Sequence, residues 1–471
     1  MKITFWGAAR TVTGSMHQID AGGQRFLLDC GTFHGRRQAA RDINTKLPFK
    51  VSDIHAVMLS HAHIDHSGNL PTLTKYGFSG PIYTSPATAD LCDPLLQDSA
   101  NIQEKDAIFL NKQIWRRKSV LGEANGSQTV EPIYTTEHAE RVLTLFNRVL
   151  LHTPMQVGDD LTYETFDAGH LLGSTSMVLE SRDTGKPVRL CFSGDVGRIN
   201  LPIIPDPEPC PQADYLILES TYGDRLHKDL GRVADKLVSA IVRTSERGGR
   251  IVVPAFALGR TQQLVLLLHQ LVNENRIPLI PIFIDSPLAF KTTSVFRAHH
   301  DARDAETNAF SDLGKDPFSF PRLRYIQDVN ESKALNDLRG PFIVISASGM
   351  CEAGRILHHL RNNIENPRNT VLITGFQAEH TLGRKIVEGH REVPIFGDPM
   401  RLRAEVVTLN ELSGHADQRE LLTWIKPAVP GLKKIFLVHG EYPQQQALAN
   451  AIEQQYGIPV VIPSRGDSFV L

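Results

Sequence analysis

The stretch SHAHIDHSGNLP, Ser60 to Pro71, places three histidines and one aspartate within the six residues from His61 to His66. It directly follows the largely apolar run Ile54 to Leu59, whose composition predicts a buried strand. Imidazole nitrogens and carboxylate oxygens are zinc ligands, and a catalytic zinc ion takes only about three ligands from the protein. The turn offers more ligands than one ion needs, which favours two neighbouring metal ions. The alternative is a polar turn with incidental histidines.

Further potential ligands occur where other predicted strands end. In open α/β sheets, ligands collect at the carboxyl ends of the strands, so residues far apart in sequence can meet there. Taken singly, each residue could equally be a buried, hydrogen-bonded polar group, but their common position favours a shared site. The candidates are Asp29 in FLLDCG, His170 in FDAGHLLGS, Asp195 in LCFSGDVG, Glu219 in LILESTYG, His415 in LNELSGHAD and His439 in IFLVHGE.

Apolar strand-like runs alternate with helical segments such as Thr261 to Val272 and Ile356 to Ile364, which is typical of an α/β protein. Residues 101 to 150 are predicted to be helical and charged, with IWRRK at Ile114 to Lys118, most simply as an exposed helical insertion. The Pro-rich segment Leu201 to Asp214 cannot continue a helix or a central strand. We therefore place a domain boundary near it.

The composition limits the class of protein. A chain of 471 residues is too long for one ordinary core, which predicts two or three domains. The 50 lysines and arginines nearly balance the 52 acidic residues, so any polyanion site must be a local patch. The five scattered cysteines form no C-x-x-C pair, which argues against a disulfide framework and a cysteine zinc site. The N-terminus lacks a signal-peptide layout and no apolar run is long enough to span a membrane, so we expect a cytoplasmic protein.

The ordered set of motifs resembles the β-CASP family of metallo-β-lactamase-fold nucleases, which includes ribonuclease J and the pre-mRNA 3′-end cleavage endonuclease. The resemblance covers nearly the whole chain. The metallo-β-lactamase motifs correspond to Asp29, His61, His63, Asp65, His66, His170 and Asp195, and the three β-CASP motifs correspond to Glu219, His415 and His439.

The resemblance implies an α/β architecture, a metallo-β-lactamase αββα sandwich with an inserted α/β β-CASP domain. The corresponding domains are residues 1–205 for the N-terminal part of the sandwich, 206–405 for the β-CASP domain, and 406–471 for the C-terminal part of the sandwich.

The resemblance also implies two zinc ions, although manganese would accept the same ligands. Asp29 and Glu219 would orient ligands or the nucleophile. In this family a histidine at the position of His439 goes with RNA substrates. One zinc ion would be held by His61, His63 and His170 and the other by Asp65, His66 and His439, with Asp195 bridging them.

The implied reaction is hydrolysis of an RNA phosphodiester. Zinc lowers the pKa of bound water from about 15.7 to about 7, so a hydroxide that bridges the two ions is the expected attacker. The departing 3′ oxygen needs a proton, and His415 is the candidate general acid. The expected catalytic residues are Asp65, His415, Glu219 and Asp29.

We therefore expect a zinc-dependent ribonuclease for single-stranded RNA that leaves a 5′-phosphate and a 3′-hydroxyl, with no membrane partner. Two alternatives remain: a dinuclear-zinc hydrolase of a small ester, thioester or phosphodiester, and a non-catalytic RNA-binding scaffold. The sequence leaves open whether cleavage is internal or from the 5′ end. It also leaves open the oligomeric state, with a homodimer among the options.

Three Gly-Arg pairs open predicted helices in the middle of the chain, at Arg260, Arg355 and Arg384. A cation at a helix start interacts unfavourably with the helix dipole unless an anion is bound there. These positions are therefore candidate phosphate-binding sites. The small residues of SASGM, including Ser348, would let an RNA backbone approach closely. The alternative is that the arginines pair with local acids such as Glu352 or Glu379.

Overall fold

The computed structural model describes residues 1–35, 37–121, 129–182, 185–227, 231–375, 377–378 and 380–471. The chain divides into two compact units. The first unit comprises Met1–Ile199, Asp206–Leu226 and His415–Leu471, and the second comprises Asn200–Pro205 and His227–Gly414.

Two seven-stranded sheets form the centre of the first unit. The first sheet has the strand order Ser468–Val470, Lys2–Phe5, His17–Ala21, Gln24–Leu28, Ile54–Met58, Ile82–Thr84 and Phe146–Arg148. The second sheet has the order Val460–Val461, Lys434–Val438, Tyr215–Glu219, Val188–Phe192, Thr175–Ser181, Leu161–Asp167 and Met155–Gln156.

The two sheets face each other across an apolar core. Residues of the strand Leu161–Asp167 alternate between more and less buried positions, because successive side chains of a strand point to opposite faces. Phe5 of the first sheet and Phe436 of the second have ring centroids 5.4 Å apart. Both belong to one buried cluster with Phe26 and Phe192, so the core joins the two sheets.

Helices cover the outer faces. On the second sheet, Leu421 and Leu448 pack in a separate apolar cluster with Leu216 and Leu437 of the strands. The helices on this side are Gln418–Ile425 and Tyr442–Tyr456. The remaining helices of the unit are Arg37–Thr45, Ile64–Ser67, Leu70–Lys75, Pro86–Leu121 and Thr136–Leu143, and the one from Pro86 contacts the edge strand Phe146–Arg148 of the first sheet.

The second unit contains a six-stranded parallel sheet. Its strands Ile251–Pro254 and Ile343–Ser346 are buried at every position, as expected when helices cover both faces of a parallel sheet. The strand order is Leu323–Tyr325, Ile282–Ile284, Ile343–Ser346, Ile251–Pro254, Thr370–Ile373 and Glu405–Thr408, beside a separate pair Glu392–Ile395 and Asp398–Arg401. The helices are Gly231–Glu246, Arg260–Asn273, Pro287–Ala298, Ala305–Asp312, Val329–Ala334, Arg355–Asn363 and Leu382–Val387.

The predicted α/β fold class, an αββα sandwich with an inserted α/β domain, is confirmed. The two predicted helices are present as Arg260–Asn273 and Arg355–Asn363, and the Pro-rich segment forms neither helix nor strand. Of the predicted helical insertion at residues 101–150, residues 101–121 and 136–143 are helical, whereas Phe146–Arg148 is an edge strand of the first sheet that pairs with Ile82–Thr84. Residues 122–128 lie outside the described part. No helix in the described part of the chain is long and apolar enough to cross a bilayer.

The division into units differs from the predicted boundaries at 205 and 405. The strand Tyr215–Glu219 pairs with Val188–Phe192 and Lys434–Val438, so residues 206–226 group with the first unit. The strand Glu405–Thr408 pairs with Thr370–Ile373, so the second unit continues to residue 414. Strand pairing determines both boundaries, and the sequence of an individual strand does not indicate which other strand it pairs with.

Candidate metal centre

The candidate ligands of the first unit lie just beyond the carboxyl ends of its strands. His61 and His63 follow the strand Ile54–Met58, and His439 follows Lys434–Val438. Asp29 and His439 have φ values of 59° and 51°, in the left-handed region that residues other than glycine rarely adopt. Such strained positions cluster at functional sites, where the chain must turn sharply to present a side chain.

Three imidazole nitrogens form a first ligand set. His63 Nδ1 lies 3.1 Å from His61 Nε2 and 3.2 Å from His170 Nε2. Nitrogens bound tetrahedrally to one zinc ion at about 2.0–2.1 Å would be about 3.3–3.4 Å apart, so the observed spacing fits zinc closely. Asp195 Oδ2 completes the set, 3.4 Å from His61 Nε2 and 3.6 Å from His170 Nε2.

A second ligand set adjoins the first. His439 Nε2 lies 3.2 Å from His66 Nε2 and 3.3 Å from Asp65 Oδ2. The other oxygen of Asp195, Oδ1, lies 3.3 Å from His66 Nε2. Asp195 therefore directs one carboxylate oxygen toward each set, which is the arrangement that a ligand shared between two cations requires.

Burial and charge favour the protonation states that bind metals. Burial, assisted by neighbouring imidazoles, lowers the pKa of His61 well below its usual value. Burial likewise lowers the pKa of His63 to about 4, against the opposing effect of Asp65 and Asp195. Burial alone would raise the pKa of Asp195, but the surrounding imidazoles outweigh it and hold that pKa well below its usual range. Neutral imidazoles beside ionised carboxylates are the forms that coordinate a cation.

Asp29 fixes the orientation of His66. Its buried carboxylate accepts hydrogen bonds from the Ser60 backbone N–H at 2.8 Å, from the Ser60 hydroxyl at 3.0 Å and from the Ser15 hydroxyl at 3.0 Å. His66 Nδ1 lies 2.7 Å from the same carboxylate, and donation from Nδ1–H directs the Nε2 lone pair toward Asp195 and His439. Burial lowers the pKa of His66, but Asp195 and Asp29 outweigh it and raise that pKa well above its usual value. The carboxylates that attract a proton to this ring also attract a metal cation, which would replace the proton at Nε2.

Glu219 and Thr221 connect the second ligand set to His415. One oxygen of Glu219 accepts a hydrogen bond from the Val196 N–H at 2.7 Å and lies 3.2 Å from His415 Nδ1. The other accepts a hydrogen bond from the Thr221 hydroxyl at 2.6 Å, and that hydroxyl lies 3.0 Å from His439 Nδ1. Sequence analysis did not identify Thr221 or Ser60, although both lie in the same turns as the motif residues.

His415 lies at the edge of the site. Its Nδ1 is 3.8 Å from Asp195 Oδ2, and its ring centroid is 4.5 Å from that of His170. Its side chain keeps 20% of its surface exposed, whereas that of Asp195 keeps 2%. Burial lowers the pKa of His415, but the carboxylates of Glu219 and Asp195 outweigh it and raise the pKa to about 9. The ring is therefore an accessible proton donor at neutral pH.

The arginines of the second unit have different partners. The Arg355 guanidinium donates to buried Asp285 at 2.6 Å and to the Gln327 carbonyl at 2.7 Å, which favours the structural alternative left open above. The acid is Asp285 rather than either acid proposed from sequence: Glu352 caps a helix by accepting from the Leu382 N–H at 2.6 Å, and residue 379 lies outside the described part.

The other predicted RNA contacts of this unit are partly buried, as Arg355 is. Arg384 forms a half-exposed ion pair with Glu388 at 2.7 Å. Arg260 donates to Gln263 at 3.0 Å at the start of its helix. The Ser348 hydroxyl accepts from the backbone N–H of Glu352 at 3.1 Å. Arg355 and Arg384 are thus both paired with an acid, but the acid of Arg355 is fully buried and that of Arg384 is exposed.

Three family models match the chain. Residues 12–166 match the metallo-beta-lactamase superfamily and residues 261–386 match the Beta-Casp domain. Residues 399–463 match the Zn-dependent metallo-hydrolase RNA specificity domain.

Known proteins are similar over nearly the full length. The chain is 34% identical to Ribonuclease TTHA0252 of Thermus thermophilus, covering 96% of each protein. It is 27% identical to Transcription termination factor FttA of Methanocaldococcus jannaschii, covering 99% of this chain and 71% of that protein. A solved structure of a protein of unknown function from Enterococcus faecalis V583 has a TM-score of 0.56 at 13% identity, covering 100% of this chain and 99% of that one, and it shows the shared fold alone.

Proposed function

Because the chain belongs to the β-CASP family of metallo-β-lactamase-fold hydrolases, we propose that it is a zinc-dependent ribonuclease that hydrolyses RNA phosphodiester bonds. The family confirms the predicted enzyme class, a metal-dependent hydrolase related to ribonucleases. The match to an RNA specificity domain and the similarity to a protein named as a ribonuclease support RNA as the substrate. The observation that carries the proposal is the convergence of two ligand sets on the two oxygens of Asp195.

The residues present fit a pair of zinc ions, and manganese would accept the same nitrogen and oxygen ligands. When bound, such ions lower the pKa of water and stabilise charge that develops on phosphate oxygens. One ion would be held by His61, His63 and His170 and the other by Asp65, His66 and His439, with Asp195 between them.

The remaining residues of the site orient groups and move a proton. With Nδ1–H directed at Glu219, His415 presents Nε2–H as a general acid for the departing 3′ oxygen. Breaking the bond between phosphorus and this 3′ oxygen leaves a 5′-phosphate on one product and a 3′-hydroxyl on the other. Asp29 keeps His66 in its ligating orientation. Removal of either carboxylate would therefore impair the reaction without removing a direct ligand.

Single-stranded RNA is the proposed substrate form, cleaved internally or from the 5′ end, by a cytoplasmic enzyme that acts as a monomer or a homodimer. The cysteines of the described part are all free and buried, which suits a reducing compartment. In the second unit, Arg260, Arg384 and Ser348 are proposed to contact the RNA backbone. Replacing Arg384 with Gln should reduce the salt slope of RNA binding by about 0.7. An unchanged slope would assign Arg384 to its ion pair with Glu388 alone.

The central test compares RNA with small substrates. We expect the purified protein to cleave end-labelled single-stranded RNA, to lose this activity with a chelator, and to act poorly on a bis-ester or a thioester. His63→Ala should lose zinc and activity together, whereas His415→Ala should keep both zinc equivalents and lose most of kcat. Cleavage of small esters without RNA cleavage would overturn the proposal, and loss of zinc from His415→Ala would make His415 a ligand.

A further inference from the structure

The distal half of the helix Pro86–Leu121 presents an exposed face that the metal centre does not use. Its other side is fixed, because Asn111 exchanges two hydrogen bonds with the Val130 backbone at 2.8 and 2.9 Å. Gln103 accepts from the Ile133 N–H at 3.1 Å on the same side. The exposed face is therefore held at a defined orientation on a rigid element.

This face, which we call the basic aromatic face, combines two cationic and three apolar side chains: Lys105, Ile108, Phe109, Lys112 and Trp115. These residues are spaced by three, one, three and three positions, so they share one side of the helix. Trp115 is 72% exposed, Phe109 59% and Ile108 55%. Grouped exposure of large apolar side chains marks a surface that binds a partner.

The charge of the surface indicates which partner. The face itself carries two lysines, Lys105 and Lys112, and no acidic residue. Asp106 lies exposed beside the face, while Glu104 accepts a hydrogen bond from the Thr136 N–H at 2.9 Å on the packed side. A second copy of the same face would bring lysines against lysines, whereas a polyanion with flat apolar groups would match both components.

We propose that the basic aromatic face binds single-stranded RNA outside the metal centre, with bases stacked on Phe109 and Trp115 and phosphates at Lys105 and Lys112. Interleaved aromatic and cationic side chains are the usual means of binding single strands without sequence preference. This inference rests on the proposed function, because it assigns the RNA of that reaction a second contact.

The helix connects this face to the loop that carries His170. Ser85 and Thr88 both donate hydrogen bonds to the Gly173 carbonyl, at 2.6 and 2.8 Å, near the start of the helix. With a rise of about 1.5 Å per residue, Phe109 lies about 32 Å along the helix from Thr88. At about 3.4 Å or more per nucleotide, roughly nine nucleotides or fewer span that length. The contact therefore strengthens binding of longer RNAs and leaves bond breaking unchanged.

The test separates binding from chemistry by RNA length. Phe109→Ala/Trp115→Ala should raise KM about 10-fold or more for an unstructured RNA of about 20 nucleotides, since each lost stack weakens binding substantially. It should leave kcat unchanged, together with KM for an RNA of about three nucleotides, which is too short to reach the face even when fully extended. Lys105→Gln/Lys112→Gln should reduce the salt slope of binding by about 1.4. The matched control is Leu313→Ala/Lys315→Gln, which removes one exposed leucine and one exposed lysine elsewhere and should change neither quantity.

Binding is also measured by fluorescence anisotropy on a single-stranded DNA of about 20 nucleotides. This DNA replaces RNA so that the ligand is not cleaved during the measurement, and stacking and phosphate contacts need no 2′-hydroxyl. If RNA is cleaved but the aromatic double variant keeps the wild-type KM on long RNA, the inference is overturned and the proposed function stands. If RNA is not cleaved but DNA binding weakens in that variant, the function fails and the surface assignment stands. A wild-type oligomer that this variant converts to a monomer, with KM unchanged, would assign the face to self-association.

Discussion

Removing the hydroxyl of Thr221 should weaken one metal position without removing any ligand. In Thr221→Val, His439 Nδ1 loses its hydroxyl neighbour at 3.0 Å and Glu219 loses a donor at 2.6 Å. Valine has nearly the same shape, so packing changes little. The imidazole of His439 then loses the contact that fixes its ring orientation, and the buried carboxylate loses a hydrogen bond.

The expected magnitude follows from the charge on that carboxylate. A hydrogen bond to a charged group contributes about 1.5–3 kcal/mol. If this free energy is lost from zinc binding, zinc affinity falls about 10- to 100-fold, because about 1.4 kcal/mol corresponds to a tenfold change in the dissociation constant. Loss of a group that orients a metal ligand typically has a cost of about this size. Thr221→Ser keeps the hydroxyl and should restore wild-type affinity.

The assay is a competitive zinc titration against a chelator of known affinity. One of two zinc equivalents should weaken in Thr221→Val, because Thr221 contacts only His439 of the second ligand set. Thr244→Val is the matched control: its buried hydroxyl bonds Thr370 in the second unit, so stability should fall while zinc affinity stays. Wild-type affinity for both equivalents in Thr221→Val would refute the reasoning.

Three further results are expected. Saturating zinc should raise Tm and a chelator should lower it, since ligand at about 100 times Kd stabilises the folded state by about 2.7 kcal/mol, and an unchanged Tm in a thermal melt would contradict metal binding. Gly31→Ala should impair zinc uptake, because its Cβ would lie 1.6 Å from the Asp65 carbonyl oxygen, whereas Gly431→Ala, with 3.2 Å to its nearest atom, should bind zinc normally. Asp285→Asn should destabilise the chain by about 3 kcal/mol at pH 7, because it removes the charged partner of Arg355. Burial raises the pKa of Asp285, but its hydrogen bonds outweigh this effect and lower the pKa. In urea melts, the difference in unfolding free energy between wild type and Asp285→Asn should therefore be complete above about pH 4 and shrink as the pH falls further. A difference that stays constant down to pH 2 would contradict this.

The sequence by itself determined the chemistry of the site. His61, His63, Asp65 and His66 share one turn after one strand, so their proximity is local and needs no tertiary information. The positions of His170 and Asp195 at strand ends indicated that they take part in a ligand site. Their strands belong to the second sheet, however, so packing of the two sheets brings them to the turn that follows Ile54–Met58 of the first. The helices that begin at Arg260 and Arg355 were also predictable from the sequence, because the spacing of their apolar residues is a local property.

Only the tertiary structure decided which partner each group meets. Arg355 and Asp285 are separated by 70 positions in sequence, and no local pattern predicts that their charges pair inside the second unit. The role of Thr221 depends on its 3.0 Å approach to His439, which is 218 positions away in sequence. Residues 206–226 group with the first unit because Tyr215–Glu219 pairs with two other strands of that unit. Residue type and local spacing set what a side chain can do, whereas distances between remote segments are fixed by sheet pairing and core packing, which involve the whole chain at once.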